Sequence, residues 1–163
     1  MFELSPSAQK VQQWLHANGS DAAIIEHENP GRTAAEAAVL LNCDVAQIAK
    51  SIIFKSASTG RSVLVITSGA NRVDEKKVAA LLGDTLAKAD APFVREQTGY
   101  SIGGVLPVAH VHPGTVLTVY DLIRFDRVFP PGGTPHAMFF IDPATLLRLS
   151  GAQVGSVKVD GLS

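Results

Sequence analysis

The sequence predicts an α+β, or mixed α/β, fold. Short apolar runs of strand character are interleaved with amphipathic, capped segments of helical period, with no internal repeat and no low-complexity linker. Several of the strands are expected to be antiparallel. The 163 residues, 46% of them hydrophobic, are enough to build a core without disulfides or metal, which suits one domain over 1–163.

In "SPSAQKVQQWLHANG" (5–19), Ala8, Val11 and Leu15 recur at helical spacing, with a proline near the start and Gly19 as a stop. "DAAIIEHE" (21–28) reads as a short strand. "GRTAAEAAVLLN" (31–42) is an alanine-rich helix opened by Thr33-Ala34-Ala35-Glu36, a pattern in which hydroxyl and carboxylate cap each other's amides. "DVAQIAK" (44–50) forms a second short helix capped by Asp44 and runs into the strand "SIIF" (51–54). After the turn "ASTGR", "SVLVITSG" (62–69) is the clearest buried strand. Helices follow in "VDEKKVAALLG" (73–83) and "APFVREQTG" (91–99), then the glycine-rich stretch "YSIGGVLPVAH" (100–110). The last third carries strands in "TVLTVYD" (115–121) and "AMFFID" (137–142). It ends with a helix in "PATLLRLSG" (143–151), capped by Asp142 with Pro143 in its first turn, and a terminal strand "GSVKV" (155–159).

Fourteen Lys plus Arg against fifteen Asp plus Glu leave a net charge of −1, so any nucleic acid must be gripped locally and not by a global basic field. The single cysteine, Cys43, has no internal partner and reads as a small core residue. The N-terminus lacks a cationic segment followed by an apolar one, and no run approaches ~18 apolar residues, so a cytoplasmic location away from membranes is expected. Zinc, Walker-type nucleotide and α/β-hydrolase motifs are absent. His16, His27, His110, His112 and His136 form no spaced ligand set, and the His110-x-His112 pair runs into Pro113-Gly114, an exposed-turn signal. Neither metal nor cofactor is expected.

Lys50 stands at the edge of an apolar run, between Ile48 and residues 51–54. Such a lysine either lays its stem on the core with its head in water or meets an anion. Lys55, followed by Ser56, Ser58 and Gly60, reads as a strand end in water. In "SIGGVLP" (101–107), two glycines ahead of a proline either turn backbone amides into a cleft, as in a nest or oxyanion hole, or make an ordinary tight turn. His136 follows "PPGGTP" where a loop enters a strand, a common place for site residues.

Three stretches in this order, "GRTAAEAAVLLNCDVAQIAKSIIFK", "TGYSIGGVLP" and "GGTPHAMFFIDPATLLRLSGAQVGSV", resemble the YbaK and ProX proteins. These are free-standing relatives of the editing insertion domain of bacterial prolyl-tRNA synthetase, and the likeness runs from about Asn29 to the last strand. The resemblance implies a central mixed, partly rolled β-sheet flanked by helices, and an aminoacyl-tRNA deacylase that removes a wrong amino acid, most often from tRNA for proline. It implies the acceptor end of aminoacyl-tRNA as partner, with prolyl-tRNA synthetase as a further one. Its motifs fall on Lys50, an anchor for phosphate and ribose, on Gly103 and Pro107 of a G-x-x-x-P loop, and on His136. Gly104 joins Gly103 as an oxyanion donor, and Thr33, Ser51, Phe54 and Thr134 complete the substrate-binding set. Since no Ser-His-Asp set or carboxylate pair is present, the expected enzyme positions ester and water and leaves proton transfer to the substrate. Two other classes fit the same residues: a non-catalytic nucleotide or aminoacyl-adenosine binder, and a domain that docks on a synthetase.

Overall fold

Side-chain oxygens start the helices where the sequence places them. The computed structural model describes residues 4–28 and 33–160; Asn29, Gly31 and Arg32, where the family likeness and the second helical stretch begin, lie outside the described residues. Ser5 accepts from the Ala8 amide ahead of α1 (Pro6–Ala17), and Thr33 accepts from Glu36 ahead of α2 (Ala34–Leu41). Asp74 caps α3 (Glu75–Leu82) and Asp90 caps α4 (Ala91–Thr98). The four-residue α5 (Tyr120–Ile123) has no side-chain cap, and α6 (Pro143–Ser150) is capped by Asp142. Each cap satisfies amides that a helix start leaves without partners.

The helices pack against a mixed sheet. β2 (Ala49–Ser56) and β3 (Ser62–Ser68) form an antiparallel hairpin whose register runs from Ala49 opposite Ser68 to Lys55 opposite Ser62. β4 (Leu86–Lys88) adds antiparallel to the outer side of β2. β5 (Thr115–Thr118) lies parallel to β3, and β7 (Gln153–Val154) parallel to β5, giving the order β4-β2-β3-β5-β7. β1 (Ile25–Glu26) pairs antiparallel with β6 (Ala137–Met138) in a separate ribbon. Every residue of the central β3 is buried, and Leu64, Val65 and Ile66 share the core with Leu117, Val78, Leu106 and Phe139. A smaller cluster of Ala37, Ala38, Ile48, Phe129 and Met138 seats α2 over the start of β2. Among the described residues no helix is long and apolar enough to cross a membrane.

The α+β class is as expected, while several boundaries differ. The stretch 44–50 makes only a 3-10 turn (Val45–Gln47), and β2 begins at Ala49, which draws Lys50 into the strand. The strands expected over 21–28 and 137–142 are two-residue pairings, because the 128–141 segment folds on itself through isolated bridges at Val128–Ile141 and Pro131–Met138. Strand 115–121 stops at Thr118, and α5 takes Tyr120 and Asp121. The terminal pairing falls at Gln153–Val154, not 155–159, since Lys158 and Val159 turn to meet Arg72 and Val73 instead. β4 was not expected.

The Asp121 carboxylate holds that turn, accepting from Lys158 Nζ at 2.9 Å and from Asn71 Nδ2 at 2.7 Å. The bond from Lys158, then that from Asn71, holds its carboxyl below the usual carboxylate range. A lowered folded-state pKa adds stability that is complete above the unfolded value near 4 and is lost as pH falls through the folded one. Asp121→Asn is therefore expected to lower the thermal midpoint by roughly 1–4 °C at pH 7, the pair being partly solvent-screened. Melting curves at pH 7 and pH 3 check it: the gap between variant and wild type should be narrower at pH 3 than at pH 7.

Candidate active site

A cleft of about 300 Å³ opens where α2 meets the start of β2. The N-terminal turn of α2 supplies Thr33, Ala34 and Ala37 as one wall. That approach depends on Gly69 just after β3: a Cβ there would lie 2.5 Å from Val45 O and 2.7 Å from the Ala34 Cβ. The floor is the first part of β2, with Ala49, Lys50 and Ser51. Ile102, Gly103 and Val105 form the facing turn, and Pro131, Pro135 and Met138 close the remaining side. The polar side chains of this lining are Thr33, Lys50 and Ser51.

Two of the three have unmet polar capacity. Lys50 is exposed, and among the described residues its ammonium has no hydrogen-bond or ion-pair partner, the ion pairs being Lys77–Asp160 and Lys158–Asp121. Ser51 Oγ is buried with no partner among the described residues. A free ammonium in mostly apolar walls favours a ligand that brings its own acceptors. Thr33 is already engaged, its Oγ1 accepting from the Glu36 amide at 3.1 Å.

The facing turn is built from backbone. Gly103 has φ +94, a left-handed conformation that a Cβ makes costly. The Gly104 amide donates within the turn to Ser101 O at 3.1 Å, so it is not available to a ligand. The Gly103 and Val105 amides have no acceptor among the described residues. Gly133 N donates to Gly104 O at 3.1 Å, and across that trans peptide the Val105 N–H faces away from Gly133. Among the described residues the free amides of this turn are thus those of Gly103 and Val105, not that of Gly104. Gly104 is needed for packing instead: its Cβ would sit 2.6 Å from both Thr134 Cα and Thr134 N.

Lys50, Ser51, Thr33 and Gly103 converge on the cleft; Gly104, Phe54, Pro107, Thr134 and His136 do not line it. Phe54 lies four residues along the strand from Lys50, about 13 Å, and is buried in the main core. Pro107 faces a separate cavity of about 220 Å³ with Val108 and His110. Thr134 Oγ1 donates to Glu26 Oε2 at 3.4 Å and accepts from His136 N at 3.2 Å. His136 Nδ1 donates to the carbonyls of His27 (3.2 Å) and Glu28 (3.1 Å), which binds the ring to the β1 side of the ribbon. Ala34 and Ala37 were missed although the i, i+3 spacing beside the Thr33 cap places them together. Ile102 and Val105 flank expected glycines, whereas Pro131 and Pro135 carry no local signal.

Fold and cleft together define an editing domain of the kind that acts on aminoacyl-tRNA. The sequence matches the aminoacyl-tRNA editing domain over residues 28–149, and the chain belongs to that family. It is 41% identical to a candidate trans-editing enzyme for prolyl-tRNA synthetase, whose crystal structure aligns with a TM-score of 0.90 over 96% of this chain and 99% of the other. The hypothetical protein APE2540 aligns at 32% identity with a TM-score of 0.80, over 92% of this chain and 99% of the other. The uncharacterized protein YwhH of Bacillus subtilis (strain 168) is 30% identical over 142 residues, 87% of each chain. These matches agree with the YbaK kinship expected from the three motifs.

Proposed function

We propose that the chain is a trans-editing deacylase, hydrolysing the ester that joins a small, wrongly attached amino acid to the terminal ribose of a tRNA, with tRNA for proline as its substrate. The observation that carries this reading is the Lys50 ammonium, unpaired among the described residues, on the floor of a small, mostly apolar cleft faced by the Gly103 turn. Lys50 anchors the terminal phosphate or ribose through a charge-assisted hydrogen bond. The amino-acid side chain lies toward Ala34, Ala37 and Met138, and since the whole cleft of about 300 Å³ must also admit the ester and the terminal ribose, the space left suits a small residue. Water adds to the ester carbonyl, and the Gly103 and Val105 amides receive the developing oxyanion. As the intermediate collapses, the bond to the ribose oxygen breaks and that oxygen takes the proton given up by the water. Since among the described residues neither carboxylate nor imidazole lines the cleft, this transfer runs through the neighbouring ribose hydroxyl and the substrate's amino group.

Such a second sieve answers a physical limit, because one methylene in a synthetase pocket gives only ~1–3 kcal/mol of discrimination. A deacylation panel over tRNAs charged with alanine, serine, threonine, cysteine and proline tests the reading. Release of a small non-cognate residue from tRNA for proline is the expected result. Protection of the ester across the panel would favour a non-catalytic binder, and co-purification with a synthetase without tRNA would favour a docking domain. RNA grip should be local: with a net charge of −1, log affinity against log salt should have the slope of only ~2–4 phosphate contacts. A slope equivalent to ~6–10 contacts, or tight binding of uncharged tRNA, would contradict recognition centred on the acceptor end.

A further inference from the structure

Residues 104–108, which continue from the cleft-lining turn, are buried yet belong to no helix or strand, so their carbonyls need donors from elsewhere. Two side chains outside the cleft lining provide them. Tyr100 OH donates to Val108 O at 3.2 Å, and His110 Nε2 donates to Leu106 O at 2.5 Å. A carbonyl only accepts, so the neutral His110 ring carries its proton on Nε2. The two rings meet edge to face, with centroids 6.2 Å apart and planes at 70°. Tyr100 is itself fixed from α4, because the buried Thr98 hydroxyl donates to Val94 O at 2.7 Å and accepts from the Tyr100 amide at 3.1 Å. Ala109 takes a left-handed φ of +58, and this bend lets His110 reach back to a carbonyl four residues earlier. Burial pushes the Tyr100 phenol up to about 12 and holds the His110 imidazole below its ordinary value, so both remain neutral donors near pH 7.

We propose that His110 and Tyr100 are positioning residues for editing: without touching the substrate they clamp the Leu106 and Val108 carbonyls and so hold the 103–105 turn at the geometry its free amides need. The kinetic part of this inference rests on the deacylase reading above. The turn has no regular ladder to keep its peptide planes in place, and a displacement of about 1 Å at an oxyanion donor can lower a rate ~10²-fold.

The test uses His110→Phe, which keeps an aromatic ring beside Tyr100 but removes the donor, and His110→Gln, which returns an N–H. His112→Phe, on the exposed stretch just beyond, is the control. On the best substrate of the panel, His110→Phe should lower kcat by roughly 10- to 100-fold with KM within about twofold. His110→Gln should recover most of that loss, and His112→Phe should match wild type. Amide hydrogen exchange supplies a readout independent of chemistry: the hydrogen-bonded amides that tie down this turn, Gly104 N–H to Ser101 O and Gly133 N–H to Gly104 O, should exchange at least about tenfold faster in His110→Phe while β2 and β3 stay protected. Unchanged kcat with unchanged exchange, or a Gln variant no better than Phe, overturns the positioning role. If wild-type protein deacylates nothing on the panel, the deacylase reading fails by itself. Faster exchange confined to the Gly104 and Gly133 amides would then still support the clamp, and exchange unchanged there, or equally raised in β2 and β3, would overturn it.

Discussion

Replacing Lys50 by alanine is expected to lower kcat/KM for deacylation by about 10²-fold or more while leaving thermal unfolding nearly unchanged. The activity term is large because the variant removes a charge-assisted hydrogen bond and leaves a substrate anion desolvated without a counter-charge. The stability term is small because the Lys50 head is exposed and has no partner among the described residues, which puts it with surface substitutions worth within ~0.5 kcal/mol. Lys55 is the matched control five residues along the same strand; its ammonium lies over the Phe93 ring, 5.4 Å from the centroid. Lys55→Ala should therefore cost at most about 1 kcal/mol of stability and no activity. Wild-type turnover by the Lys50→Ala enzyme would remove Lys50 from the site.

Gly104→Ala is expected to lose activity and stability together, and Gly103→Ala chiefly activity. At Gly104 the new methyl meets backbone, with Thr134 Cα and N both at 2.6 Å, and backbone cannot swing aside as a side-chain tip can. The turn and the 133–134 segment must separate, which breaks the bond from Gly133 N to Gly104 O and costs about 1–3 kcal/mol in overpacking. At Gly103 the nearest atom is Pro135 Cγ at 3.2 Å, so the added penalty is mainly the φ of +94, about 1–2 kcal/mol. Denaturation midpoints read beside turnover separate the two: Gly103→Ala should keep most of its folded protein at 25 °C yet lose at least tenfold in kcat. If its activity instead follows the folded fraction, the Gly103 amide is a structural group and not an oxyanion donor.

Helices were legible because their starts are written in single residues: Thr33, Asp74, Asp90 and Asp142 each cap the helix expected after them. Short pairings were not. β4 is a three-residue edge strand, and β1 and β6 are two residues each, too short for period-two alternation to register. Of the candidate site residues, Lys50, Thr33, Ser51 and Gly103 were picked out through local pattern and family likeness, and these four line one cleft. Phe54 was misplaced because an apolar residue close in sequence lies about 13 Å away once the chain is extended. Gly104 was given a donor's role that its bond to Ser101 O already occupies, and no one-dimensional pattern states which of two adjacent amides is free. Thr134 and His136 fell on a real junction, but their polar atoms point to Glu26, His27 and Glu28, partners more than a hundred residues distant in sequence.

The mixed sheet has a consequence for how the molecule reaches its working state. β2 and β3 are joined by a tight turn, and hairpins of that kind close within microseconds. β5, in contrast, lies parallel to β3, so the whole 69–114 segment must first form its crossover before the parallel pair can lock. The floor of the cleft belongs to the hairpin and the glycine turn to the crossover, which places the two halves of one site at opposite ends of the order of assembly. A nascent chain thus carries its Lys50 strand well before the glycine turn can close over it, and the cleft is complete only with the slow, non-local pairing that finishes the sheet.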